Sequence, residues 1–400
     1  MRIFRSLRYR DYALFWSSDL LASVGHFVQE VALYWIAYEI TGSAMALGVL
    51  GLCEATPRLV LGALGGVLVD RYDRRRLLIL IQLVSALPVL GFLALYWPGV
   101  LQFWHILALE IFSGAARTIN PPASQSILGD LVPRNEIVNA VSLYTIGFNV
   151  ARVIGPSLGG ILVIWIGVSG CYLVYGATLL LSALEFFFVR APEKSPIKKE
   201  DNLLRELREG FSYIWHSPVI LSSIIAAYTF AVFVITYQRF LPVFAKEVLN
   251  VGPRGLGILM AAPGLGGIIA LIFIASVGEK WRKDALLWIT TTLTPLFLIL
   301  FCLSGSFPLS VGLLVLVGAG QISFRTISRV IIQIEAPRDL LGRVMSVFNM
   351  DQGMRSVGSM VMGASATIFG VAFGLSLTAI VSLALTTALF YRLLIKGKES

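Results

Sequence analysis

The sequence predicts an all-α membrane protein: twelve transmembrane helices arranged as two parallel six-helix repeats. Three observations lead there. The 400 residues are 57% hydrophobic and only 14% charged, too few charges to cover the surface of a water-soluble protein of this length. Apolar segments of about 20 residues or more follow one another along the whole chain, each able to cross a hydrocarbon core. Basic residues crowd into every second connection between them.

The first segment, 12–38, follows a basic, amphipathic start (Arg2, Arg5, Arg8, Arg10) with no small-residue cleavage pattern, so no cleavable signal peptide is expected. The second, 44–69, ends at Gly65-Gly66. Asp70, Arg71, Asp73, Arg74, Arg75 and Arg76 then stop the helix and turn the chain back into 77–97. Segment 102–127 is followed by Pro133-Arg134, after which 137–165 begins at once. Only Gly167 separates it from 168–189, and two spans are inferred there from total length. Residues 190–217 form a basic connection with a Pro/Lys-rich start. In its second part Leu203, Leu204, Leu207 and Phe211 mark one face and Arg205, Glu206, Arg208 and Glu209 the other, the pattern of a helix lying at a membrane interface. Segments 218–245, 253–276, 284–304, 308–333, 340–368 and 371–394 complete the series. The expected division is therefore a six-helix bundle over 1–190, a linker over 191–217 and a second bundle over 218–400.

The net charge of +9 is a topology signal on this reading, and nucleic acid is not an expected partner. Basic residues precede the first segment and follow the second, fourth, sixth, eighth, tenth and twelfth. Of the opposite connections only that between the seventh and eighth holds any, Lys246 and Arg254. Both termini and the central linker are thus expected on the cytoplasmic side. Cys53, Cys171 and Cys302 are scattered through apolar segments and indicate neither disulfides nor a thiolate metal site.

A weak internal repeat relates the halves. Pro133-Arg134 and Pro337-Arg338 each divide one apolar helix from the next, Ser142 matches Ser346, and Gly159 matches Gly363 at the same spacing. The turn after the second segment returns after the eighth as Gly278-Glu279-Lys280-Trp281-Arg282-Lys283, without the aspartate. Six spans plus six around a central path is the layout of carriers built from parallel repeats.

Ionisable residues inside apolar segments are costly and normally face a cavity or a partner. Near mid-depth these are Glu54, Arg58, Glu110, Arg117, Arg152, Arg325, Asp351 and Arg355, with His26, Gln29 and Glu30 on the first segment and Asp19 nearer the cytoplasm. Glu54/Arg58 and Asp351/Arg355 are spaced to pair one turn apart, as structural locks or as working groups. Glu30 and Glu110 have no basic residue at that spacing. A carboxyl group held in low dielectric can load and release a proton near neutral pH. Glu30 and Glu110, then Glu54 and Asp351, are the proton-site candidates. The arginine surplus, Arg58, Arg117, Arg152, Arg325 and Arg355, suits an anionic or amphiphilic small organic substrate.

The turn Gly66, Asp70, Arg71, Arg74, Arg75 resembles the signature of the major facilitator superfamily, with Asp73 where glycine is usual. The resemblance covers essentially the whole chain and implies a transporter, not an enzyme, with the major facilitator fold and alternating access. It implies that Asp70 and the arginines latch the two halves against the start of the eleventh span, the arginines also meeting anionic lipid. Gly147, Gly155, Pro156, Gly159 and Gly160 resemble the fifth-span motif of proton-coupled exporters. Physically, small residues allow close helix packing and proline removes a donor. The run Pro121-Pro122, then Leu131 to Glu136 and Asn139-Ala140, resembles the branch of enterobactin-type siderophore exporters and macrolide efflux proteins. Glu110 occupies the place of that family's fourth-span arginine, which leaves Arg117 and Arg152 as the nearest candidates for its part. By the same analogy spans one, four, seven and ten line the path, with Phe27, Tyr34, Phe112, Tyr228, Phe233, Tyr237 and Phe324 able to stack on a flat substrate.

No Walker-type P-loop, HExxH, cysteine-pair or nucleophile-elbow motif occurs, so neither cofactor nor metal is expected. The expected function is proton-driven export of a drug- or siderophore-like molecule by a monomer in the bacterial inner membrane. A facilitator or lysolipid carrier without proton coupling, and a channel or structural membrane protein, remain open on the same residues.

Overall fold

Helix is the only regular structure among the described residues, as hydrocarbon demands of a chain that must satisfy its own backbone polar groups. The computed structural model describes residues 4–190, 212–277, 283–337 and 340–399. The amphipathic face expected over 203–211, and the turn over 278–282, lie outside the described residues.

The helices are α1 (Arg10–Thr41), α2 (Ala44–Arg71), α3 (Arg74–Tyr96), α4 (Phe103–Leu128), α5 (Ile137–Phe188) and α6 (Pro218–Phe233). They continue with α7 (Gly252–Val277), α8 (Lys283–Leu303), α9 (Phe307–Glu335), α10 (Leu341–Asn349), α11 (Asp351–Phe369) and α12 (Val371–Glu399). Eight helical stretches among the described residues are long and apolar enough to cross a membrane.

Helices and apolar segments differ instructively at three places. The fifth and sixth segments form one run of helix, α5, turned at Gly167, whose φ of 71° and ψ of −179° only glycine adopts without strain. The seventh segment leaves α-helical form after Phe233 for a 3-10 stretch, Ile235–Phe240. The eleventh segment is broken at Met350 into α10 and α11. A break inside a span frees carbonyls that need donors. Here the Tyr228 hydroxyl donates to the Val347 carbonyl at 2.7 Å, and the first residue past the break is Asp351, an acid in the first turn of a helix.

Two compact units are formed. The first comprises Met1–Gly42, Cys53–Lys198 and Val251–Ala261, the second Ser43–Leu52, Lys199–Asn250 and Ala262–Ser400. Each unit therefore takes in a short piece of the opposite half of the sequence. In the first, α1, α3, α4 and α5 close around Tyr12, Phe15, Leu78, Ile127, Leu143 and Phe186. The start of α7 packs on α5 there, so closely that a Cβ on Gly160 would stand 2.8 Å from the Pro253 carbonyl oxygen and 2.9 Å from Gly257 Cα. In the second unit, Gly48 of α2 meets α11 at Gly363 and Ser359, a Cβ on Gly48 reaching 2.6 Å from the Ser359 carbonyl oxygen.

The connection between α2 and α3 is held from both sides. Asp73 caps α3 by accepting the Arg76 amide at 2.7 Å, the task of an N-cap acid. Arg74 pairs with Asp130 at 2.6 Å and donates to the Ser126 carbonyl at 3.0 Å. Arg75 donates to the carbonyls of Phe186 and Phe187 at the end of α5. These two arginines tie the turn to their own unit. The side chains of Asp70 and Arg71, expected to form the latch with Gly66, lie outside the described residues, as does that of Arg58.

Gly160→Leu must push α5 and α7 apart, and overpacking of this kind costs about 1–3 kcal/mol. The thermal midpoint of the purified protein is expected to fall by several degrees, while Gly129→Ala, where an added Cβ meets nothing within 4 Å, leaves it unchanged.

Candidate functional site

In the first unit one acid, one base and their attendants meet between α1, α4 and α5. Two glycines make room for them. Gly25 lets α1 close on Thr178 of α5, where any Cβ would collide with the threonine. Gly114 brings α4 against the backbone of α2, an added Cβ standing 2.8 Å from the Glu54 carbonyl oxygen.

At that depth Arg117 Nη2 reaches Glu110 Oε2 at 2.7 Å. Both side chains are nearly withdrawn from solvent, 12% and 6% exposed. Arg117 Nη1 lies 3.2 Å from His26 Nδ1, an arrangement in which a neutral imidazole accepts from the guanidinium. The other carboxylate oxygen of Glu110 takes a longer bond from Gln29 Nε2, 3.4 Å, and the same amide donates to the Tyr172 hydroxyl at 3.1 Å. Phe92 stacks flat on Tyr172 with centroids 3.6 Å apart, and Tyr175 lies beside His26 at 5.9 Å. Gln29, Phe92, Glu110, Ser113, Tyr172 and Tyr175 line a small hollow.

Glu110 thus has a basic partner two turns along its helix. One turn away from Glu110 there is no basic residue. Seven residues return a helix to within about 20° of the same face, so the pair was available to the sequence. Tyr172 and Tyr175 were missed altogether. Their signal was weak: a hydroxyl in the middle of a span, which must find a partner.

The remaining candidates of this unit separate into two groups. Tyr34 stands with its hydroxyl 3.1 Å from Glu30 Oε1 and 3.3 Å from Glu54 Oε2, so one phenol proton serves two carboxylates. Phe27 packs between His26 and Phe148. Arg152 is half-buried on α5, and Phe112 is exposed on α4. Of the glycine motif, Gly147 faces Trp16, Gly155 faces Phe27 and Gly159 faces Val28, all on α1, while Pro156 and Gly160 face Gly257 of α7. Asp19 is buried, and no hydrogen bond or ion pair places a cation on it among the described residues.

In the second unit Asp351 is the shared acid. Arg325 Nη2 of α9 lies 3.3 Å from its Oδ1, and Arg355 Nη2, one turn on, 3.9 Å from its Oδ2. The carboxylate is 5% exposed and each arginine 27%. Phe324 is buried and stacks on Phe230 at 4.4 Å. Tyr237 is fully buried near Phe301, Phe233 is half-buried, and Tyr228 is engaged with Val347. Tyr237 and Phe324 are therefore core residues of their unit. Arg239 donates to Ser359 at 3.0 Å.

Buried charges in pairs, a helical unit with a broken span at its acid, and apolar helices throughout define a multi-pass integral membrane transporter. The chain matches the transmembrane secretion effector family of the major facilitator superfamily over residues 2–400, and it belongs to that family. It is 26% identical to the staphyloferrin A transporter of Staphylococcus aureus, covering 96% of this chain and 98% of that one. It is 23% identical to the multidrug efflux pump Tap of Mycolicibacterium fortuitum over 82% of each chain. Against the enterobactin exporter of Escherichia coli the identity is 23%, covering 84% of this chain and 80% of the other. In fold it is similar to a bacterial homologue of the human lysosomal transporter Spinster in an inward-facing, unoccupied conformation. The TM-score is 0.78 at 16% identity, with 97% of each chain covered.

Removing one member of a buried ion pair leaves the other uncompensated and costs about 3–5 kcal/mol, more than removing both. Arg117→Gln is therefore expected to lower the thermal midpoint sharply. The Glu110→Gln/Arg117→Gln double variant should recover much of the loss, and a double variant no better than Arg117→Gln would show the pair does not bear on stability.

Proposed function

We propose that the protein is a secondary exporter of small organic or amphiphilic molecules, drug- or siderophore-like, driven by protons and working by alternating access. The observation that supports this most is the contact between Glu110 and Arg117. A carboxyl group this withdrawn has one guanidinium to support its ionised form, so a proton delivered to that form breaks the ion pair. Arg117 then keeps only His26 among the polar partners described above. Protonation thereby changes the strongest polar link between the two ends of this α4 stretch and its neighbour α1. Only such a difference between two states can drive a cycle.

In that cycle a proton entering from outside neutralises Glu110 and favours the inward-facing state. Substrate binds there, the proton leaves, and substrate departs from the outward-facing state. Glu30, Glu54 and Tyr34 form a second acidic pair on the same path. Asp351 serves as the acid of the other unit. Gly66, Asp70 and Arg71 are assigned the latch, and Gly147 to Gly160 the close packing that seals the path. The loop charges and the family's layout support twelve spans with both termini cytoplasmic, and the reading takes the carrier as a monomer of the bacterial inner membrane. Two of the relatives, an efflux pump and an exporter, support the direction of transport.

One observation favours a second reading. Arg117 already neutralises Glu110, so the pair can be a lock in a facilitator without proton coupling.

Proteoliposome flux separates the two. Wild type is expected to extrude a fluorescent organic anion when the outside is acidified, and to stop when the gradient is collapsed. Glu110→Gln should lose at least tenfold of the gradient-driven rate yet retain substrate counterflow. Saturable equilibration that ignores the gradient in wild type would make the protein a facilitator.

A further inference from the structure

The donors of α9 are arranged for a ligand that the ion pairs do not supply. Gln321, Arg325 and Arg329 stand four residues apart, which puts them on one face and spreads them over about 12 Å of helix. Gln321 is 6% exposed, and among the described residues its Nε2 has no hydrogen-bond acceptor. Arg325 gives Nη2 to Asp351 at 3.3 Å and stays 27% exposed. Arg329 is exposed and, among the described residues, makes no ion pair or hydrogen bond. Two guanidiniums one turn apart on a helix repel each other. Placing them in a span is costly besides, and neither expense yields packing, because both side chains keep access to solvent. The middle member of the face is turned to a neighbouring helix, where it bonds to Asp351 of α11.

We infer that Gln321, Arg325 and Arg329 form a ladder that binds organic polyanions, carboxylates above all, and that its cargo is a di- or tricarboxylate. Guanidinium forks match carboxylate geometry, and a primary amide completes the acceptor set. Asp351 holds Arg325 in the place a ligand carboxylate takes. Its own charge is supported at the start of α11, so it can release Arg325 without being left bare. The inference rests on the exporter reading and deepens it by naming a substrate class. With the Glu335 end of α9 at the cytoplasm, Arg329 meets the ligand first and Gln321 last, a run from the mouth toward mid-depth.

The shared chemistry, an anion on arginine, also describes a lipid headgroup, and the test has an arm for each source. The full-length protein in phosphatidylcholine nanodiscs is titrated with propane-1,2,3-tricarboxylate and with its trimethyl ester by calorimetry. The triacid is expected to bind at least tenfold more tightly than the ester. Arg325→Gln and Arg329→Gln should each weaken it at least tenfold, Arg329→Lys less, and Gln321→Leu about threefold. Unfolding midpoints and gel filtration identify any variant that fails to fold, for which Arg325→Lys substitutes. Equal binding of acid and ester, or undiminished binding by the Arg325→Gln/Arg329→Gln variant, overturns the ladder. So does a result in which the triacid binds nothing and the variants change only retention of phosphatidylglycerol, which makes the face a lipid seat. The titration uses no gradient, so loss of proton coupling leaves its outcome intact. Conversely, absent triacid binding alongside gradient-driven dye extrusion sinks the ladder and spares the exporter.

Discussion

A guanidinium and a carboxyl group on α4 meet inside an apolar span, and the 2.7 Å contact between Arg117 and Glu110 is the constraint on which the interior of the first unit depends. Once the pair is fixed, the surroundings follow from supplying its remaining acceptors and donors. Gln29 comes from α1 to the second carboxylate oxygen, and His26, one turn earlier, to the guanidinium. Helix α1 reaches them because Gly25 lets it lie against Thr178, and α4 keeps its depth because Gly114 rides on the backbone of α2. Tyr172, clamped by Phe92, closes the far side. Small residues here do positional work for charged ones.

The second unit solves the same problem with different residues. Asp351 answers two arginines and stands at the start of a helix that a break at Met350 creates. The 204 residues that separate Pro133 from Pro337 also separate Arg117 from Gln321 and Gly147 from Asp351. The repeats therefore share a scaffold and not their charges. That division fits a carrier in which one unit exchanges protons and the other receives cargo, as proposed above.

Much of the scaffold was legible in the chain. Hydropathy located the helices because lipid leaves few alternatives to helix. Pro133 and Gly167 marked turns that the backbone chemistry demands. What escaped were breaks within spans: neither the 3-10 stretch at Ile235–Phe240 nor the interruption at Met350 alters hydropathy, the first meeting its freed Ala231 carbonyl with the Thr236 hydroxyl and the second its Val347 carbonyl with that of Tyr228. Charged candidates were easy to name, being rare in apolar segments, but their partners were not. Arg117 was visible to a search two turns along α4, whereas Gln29, Tyr172 and the Arg325–Asp351 contact depend on tertiary approach. Aromatic residues were the least informative. Tyr237 and Phe324 are as apolar in the core as they would be in a binding path, and only burial separates the two cases.

The central claim is that Glu110 exchanges its proton as the carrier binds cargo. The most direct measurement is proton release in weakly buffered detergent solution when a transported organic anion is added to purified protein. Release of about one proton per bound molecule, abolished in Glu110→Gln while binding persists, is the expected result. Unchanged release in Glu110→Gln, or binding without any release across the neutral pH range, would contradict it and leave the Arg117–Glu110 contact as a fixed structural lock.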